Sequence, residues 1–122
     1  MAGRVVIAGF GCRATATEAS FRDALAAMGV RPDRLAVPED RAALIAGFAQ
    51  REGLSVTVIP AAALNGIDTP TRSDLSLIHR GVGSVAEAVA LAAAGAGARI
   101  IVTRVISADR MATCAMAQGP DQ

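Results

Sequence analysis

Apolar residues along this chain form two patterns, short continuous runs and stripes at helical spacing, and the two alternate. Arg4-Val-Val-Ile-Ala8 is a run of the kind a central strand buries on both faces, and Gly9-Phe-Gly11 is expected to turn the chain at its carboxyl end. Thr15 and Glu18 then stand at capping-box spacing, and Phe21, Leu25 and Met28 supply the buried stripe of a helix ending at Gly29. Leu35-Ala-Val37 reads as a second strand. Pro38 suits the first turn of a second helix, with Glu39 and Asp40 at its positive end, Ala43, Leu44, Gly47 and Phe48 on its apolar face, and Gly53 as its stop. A third strand, Val56-Thr-Val-Ile59, runs into Pro60, and Ala61 to Asn65 reads as a helical turn closed at Gly66.

The second half turns on Gly81-Val-Gly-Ser84-Val-Ala-Glu87. Before it, Ile67 to Ser73 is irregular, and Thr71 and Asp74 can cap a short helix carrying Leu75 and Ile78. Ser84 caps the amides of a new helix, Glu87 reaches back to the cap residue's own amide, and the Ala-rich helix closes at Gly95 or Gly97. Arg99 to Val105 follows, as apolar as a buried parallel strand, and Ser107-Ala-Asp-Arg110 turns the chain into a final antiparallel strand, Met111 to Ala117. Gln118 to Gln122 reads as a loose tail. The expected fold class is a three-layer α/β/α single domain over residues 1–122, with a mixed, mostly parallel five-stranded sheet and a carboxy-terminal β-hairpin.

This order of elements has a consequence for function. In right-handed crossovers each helix runs opposite to its strands, so the Gly9 to Thr15 loop, the Gly81 to Ser84 loop and the strand end at Thr103-Arg104 should share one rim. Two helix amino termini would point into it and favour an anion, with Arg13 and Arg104 able to clamp a carboxylate. Neither glycine pair completes a dinucleotide or Walker fingerprint.

Composition narrows the chemistry. The chain has 122 residues, 52% hydrophobic and 2% aromatic, enough for one domain whose core is filled by aliphatic side chains and Ala. Net charge is +1 and all 12 basic residues are Arg, with no block of like charge. That argues against a nucleic-acid stripe and removes lysine chemistry, while Arg suits carboxylates and phosphates. Cys12 and Cys114 have no paired spacing, which points to a reducing cytoplasm, and no apolar segment reaches membrane-spanning length. Candidate catalytic groups are Cys12, beside Arg13 and a helix start, together with His79 and Glu87. Each has a plainer role: Cys12 as a small loop residue, His79 at a helix end, Glu87 and Ser84 as a cap. Cys114, Met111 and Met116 read as core, and Asp109 with Arg110 as turn residues near the rim. A lone His supports neither a triad nor a metal site, so no metal and no cofactor are expected.

Gly11-Cys12-Arg13, Pro70 with the polar segment after it, Gly81-Val-Gly-Ser-Val-Ala-Glu-Ala88 and the closing hairpin together resemble the cobalamin-biosynthesis family of CobE and the CbiG carboxy-terminal domain, over about Val5 to Ala117. In that family the two-part CbiG protein opens the δ-lactone ring of cobalt-precorrin-5A and releases acetaldehyde. A chain of this length resembles the stand-alone CobE type of the aerobic route. The resemblance implies a precorrin or hydrogenobyrinic-acid-like tetrapyrrole as partner, with other cobalamin biosynthesis enzymes as further partners. It places the ligand-binding positions on Gly11, Cys12 and Arg13, on Gly83, Ser84 and Glu87, and on the closing turn with Arg104, Ser107 and Arg110, to which the rim loop adds Thr15. The leading expectation is a protein that binds or hands on a polycarboxylated corrin-ring intermediate. The alternative is a hydrolase opening the lactone of a precorrin-5A-type intermediate, and a third reading is a dimer or docking module.

Overall fold

The computed structural model describes residues 4–72 and 83–120. Its strands are β1 (Arg4–Cys12), β2 (Arg34–Pro38), β3 (Val56–Ile59), β4 (Arg99–Ile106) and β5 (Ala112–Pro120), and its α-helices are α1 (Glu18–Ala26), α2 (Ala42–Glu52) and α3 (Val85–Ala94). The strands form one five-stranded sheet in the order β3-β2-β1-β5-β4. β1, β2 and β3 are parallel, while β5 lies antiparallel between β1 and β4. Helices cover both faces, which makes the domain the three-layer α/β/α architecture with a closing β4-β5 hairpin.

The alternation of side chains along β1 assigns the two cores. Val6, Ala8, Phe10 and Cys12 face α1 and α2, whereas Val5 and Ile7 face α3. On the first side Phe10, Phe21 and Phe48 meet with ring centroids 5.6, 5.9 and 6.1 Å apart, all three buried. On the other side the helix comes unusually close to the sheet. A Cβ on Gly9 would overlap the Ala86 carbonyl and lie 2.7 Å from the Ala90 amide, and one on Gly119 would overlap the Ala94 carbonyl. Ala86, Ala90 and Ala94, spaced one turn apart, thus sit on a glycine track, and α3 packs over both β1 and β5.

Several local expectations are corrected. β1 continues through Gly9-Phe-Gly11 to Cys12, because β5 pairs with it along its whole length, from Arg4 opposite Pro120 to Cys12 opposite Ala112. The same pairing carries residues 118–120 into the sheet, where a loose tail was expected. α1 is capped at Thr17, whose amide donates a hydrogen bond at 3.1 Å to Ser20 Oγ, so the cap lies two residues beyond Thr15 and uses Ser20 in place of Glu18. α2 begins after a 3₁₀ turn over Glu39–Arg41 and buries Ile45, Phe48 and Ala49, leaving Ala43 and Gly47 exposed. β4 is an edge strand with Ile101 and Ile106 exposed. Its apolar sequence had suggested a buried parallel strand, which it is not. The expected stops at Gly53, Gly66 and Gly95 hold, each with positive φ. The helix expected to carry Leu75 and Ile78 lies outside the described residues.

Candidate functional site

The carboxyl ends of β1, β2 and β4 and the beginning of β5 form one edge of the sheet. The first loop is tied into it from two sides. Arg13 donates its amide to the Met111 carbonyl at 2.8 Å, joining the loop to the β4-β5 turn. Arg41, from the turn after β2, donates Nε to the Cys12 carbonyl at 3.1 Å. The side chains of Arg13 and Thr15 are exposed, while Cys12 is half-buried against the α1/α2 core.

The start of α3 meets this loop across the sheet. A Cβ on Gly11 would lie 3.2 Å from Val85 Cβ, and Thr113 Oγ1 donates to the Gly11 carbonyl at 3.3 Å. Ser84 is buried and its Oγ accepts the Glu87 amide at 3.3 Å, as its capping position requires. The Glu87 carboxylate is fully buried, and it works across the fold in a way its capping spacing had not indicated. Oε1 accepts from the Thr71 amide at 2.9 Å and the Thr71 hydroxyl at 2.8 Å, and Oε2 accepts the Arg104 amide at 3.0 Å. Arg104 in turn donates Nη2 to the Arg72 carbonyl at 3.1 Å. Gly83 is buried beneath the same segment, where a Cβ would come within 2.9 Å of the Thr71 carbonyl.

The β4-β5 turn is built by a second acid. Ser107 Oγ accepts the amides of Met111 and Ala112 at 3.2 and 3.1 Å and donates to Asp109 Oδ1 at 2.5 Å. Asp109 Oδ2 accepts from Ser20 Oγ at 2.6 Å, and Ala108 donates its amide to Asp23 at 2.5 Å. These bonds dock the turn onto the first turns of α1. Hydrogen bonds from Ser107, then Ser20, then the Met111 amide hold the Asp109 carboxyl below the ordinary aspartate range. Arg110 is exposed and takes a left-handed backbone conformation, φ +63°. Asp109, read from the sequence as a turn residue near the rim, has its carboxylate engaged by Ser20 and Ser107.

The electrostatic character of the edge follows. Asp109 sits at the start of α1 and Glu87 in the first turn of α3, so the chain's own carboxylates complement the two helix amino termini that the sequence had offered to an anion. Four arginines stand on the same edge: Arg13 and Arg110 are exposed, Arg41 and Arg104 are tethered to backbone carbonyls, and Asp40 lies 3.8 Å from Arg41 Nη1. Sequence reasoning passed over Arg41 and Ser20 and read Thr71 only as a helix cap. Arg41 lies just after a strand end, the position where open α/β sheets place binding residues, and that signal was available. The contacts of Thr71 with Glu87 and of Ser20 with Asp109 carried no such mark, since those partners are distant in sequence. His79 lies outside the described residues, and among those described no group of three or more His, Cys, Asp and Glu can hold a metal. A cleft of about 290 Å³ opens near the carboxyl ends of α1 and α2, lined by Leu25, Val30, Pro32 and Phe48. Its arginines, Arg22 and Arg31, pair with Glu18 and Glu52, and none of the candidate residues line it. No helix among the described residues is long and apolar enough to cross a membrane.

Comparison with known proteins gives this edge its context. The chain superimposes on the crystal structure of CobE, a protein from the cobalamin (vitamin B12) biosynthetic pathway, with TM-score 0.77 and 25% identity over 98% of this chain and 94% of that one. It is also similar to the cobalamin biosynthesis protein chiG from Agrobacterium tumefaciens, with TM-score 0.70 and 36% identity over 93% of this chain and 97% of the other. A cobalamin biosynthesis protein G homolog from Sulfolobus solfataricus shares the fold, with TM-score 0.69 and 19% identity, and there the chain spans 36% of the longer protein. No curated protein sequence matches the chain. The family model described as cobalamin synthesis G C-terminus matches residues 6–117, and the chain belongs to this CobE/CbiG carboxy-terminal family of cobalamin biosynthesis.

Proposed function

We propose that the chain binds a polycarboxylated precorrin or corrin-ring intermediate of the aerobic cobalamin pathway at the carboxyl edge of the sheet, and holds it or hands it on. The observation that carries this reading is the division of charge at the edge. Glu87 and Asp109 are each engaged by three hydrogen bonds from the chain itself, while Arg13, Arg41, Arg104 and Arg110 ring the same edge. An edge of this kind attracts carboxylates and offers planar, bidentate donors to them. It also leaves Glu87, buried and with both oxygens occupied, poorly placed as a general base, which weighs against the hydrolase alternative.

Calorimetric titration with hydrogenobyrinic acid tests the proposal. Binding should weaken as salt rises, and Arg13→Ala should lose about 1 kcal/mol, several-fold in Kd, as expected for one exposed charge contact. Unchanged affinity in that variant would remove Arg13 from the site. Release of acetaldehyde from the lactone-bearing precursor in the presence of the protein would replace the binding reading with the hydrolytic one.

A further inference from the structure

Two of the edge arginines are held alike and stand far apart. Arg41 lies just beyond the end of β2, and its Nε is fixed by the Cys12 carbonyl at 3.1 Å. Arg104 lies near the end of β4; its amide is fixed by Glu87 and its Nη2 by the Arg72 carbonyl at 3.1 Å. β1 and β5 separate these strands, so β2 and β4 are three inter-strand spacings apart, about 14 Å. A guanidinium tethered at one nitrogen has its plane set before a ligand arrives and keeps further N–H donors for a carboxylate. Asp40, 3.8 Å from Arg41 Nη1, is the neighbour an incoming carboxylate would have to share with or displace.

Resting on the proposed corrin-ring reading, we infer that Arg41 and Arg104 form a two-point gauge that selects ligands with carboxylates on opposite sides of a macrocycle. A single carboxylate or phosphate occupies one anchor. A ring bearing acid groups on opposite pyrroles spans both, and its second contact costs no additional loss of overall freedom once the first is made. Selectivity thus resides in the separation of the anchors, which the sheet fixes, and Arg41 becomes a specificity-determining residue.

The test compares two probes, uroporphyrin, with carboxylates on all four pyrroles, and mesoporphyrin, whose propionates sit on adjacent pyrroles, by fluorescence titration at one fixed ionic strength. The wild-type chain should prefer uroporphyrin about ten-fold or more, the scale of one hydrogen-bonded charge contact. Arg41→Gln should erase that preference while leaving mesoporphyrin affinity nearly unchanged, and Arg104→Gln should do the same from the other end. A purely structural role for Arg41, such as holding the first loop, would weaken both probes equally and overturn the gauge. Loss of the preference in one variant alone overturns it as well. Failure of the wild-type chain to bind either probe or hydrogenobyrinic acid would overturn the corrin-ring reading itself, whereas hydrogenobyrinic acid binding with no probe preference overturns the gauge alone.

Discussion

The carboxylate of Glu87 and the backbone amide of Arg104 meet at 3.0 Å, a bond that ties α3 to the edge strand of the sheet. The strand provides for it by slipping register. One residue more than its partner strand supplies lies between the Val102–Met116 and Val105–Cys114 pairs, and Arg104 falls within that bulge. The other Glu87 oxygen holds Thr71, so one buried acid joins three separate parts of the chain.

Glu87→Gln keeps the shape but gives one arm a donor where an acceptor is needed, leaving a buried amide opposite a backbone N–H. Chemical denaturation should show a loss of about 2 kcal/mol, the scale of an unmade buried hydrogen bond. A variant as stable as the wild type would mean that the carboxylate contributes little to the fold, and would reopen a ligand-facing role.

The glycine track under α3 makes an equally local prediction. Gly9→Ala places a methyl group against the backbone of Ala86 and Ala90, where no flexible side chain can yield, and should cost about 3 kcal/mol. Gly47→Ala, on the exposed face of α2 with Glu18 Oε1 at 3.7 Å, should instead stabilise by about 0.5–1 kcal/mol through helix propensity. Opposite signs in urea titrations check both.

Asp109 gives the turn a pH dependence of known sign. Its folded pKa is lowered, so the stability it contributes is complete above the ordinary aspartate pKa of about 4 and is lost as pH falls through the lower native value. Asp109→Asn should abolish that component. Thermal melts from pH 6 down to about pH 2 should show a shallower acid decline in the variant than in the wild type.

The two thiols should separate cleanly in reactivity. Burial raises the Cys114 thiol pKa strongly, and the residue lies within β5 in the core. Cys12 is half-buried at the edge. One thiol per native chain should react with a chromogenic disulfide reagent, and the second only after denaturation. Comparable native rates for both would contradict the packing of β5.

Much of the architecture was legible because its signals are local. The Ser84 cap, the left-handed stops at Gly53 and Gly66, and the strand-forming runs of β1 to β3 depend on neighbouring residues alone. The misread pieces share a cause in long-range pairing. Gly9 and Gly11 look like turn residues until β5 aligns with β1 and α3 presses on the same face, and β4 looks buried until the sheet order leaves it at the edge.

The sequence by itself determined that this is an α/β domain with arginine and no lysine, and that glycine-containing loops and capped helix starts follow its strands. Tertiary structure decided which of the polar groups there the chain itself engages. Hydrogen bonding between residues as distant as Ser20 and Asp109, or Thr71 and Glu87, occupies the acids and the helix starts, leaving the arginines to define the edge. Spacing along a chain fixes what a residue can reach locally, but which distant donor satisfies a carboxylate depends on sheet order and helix placement, and these are settled only when the whole domain closes.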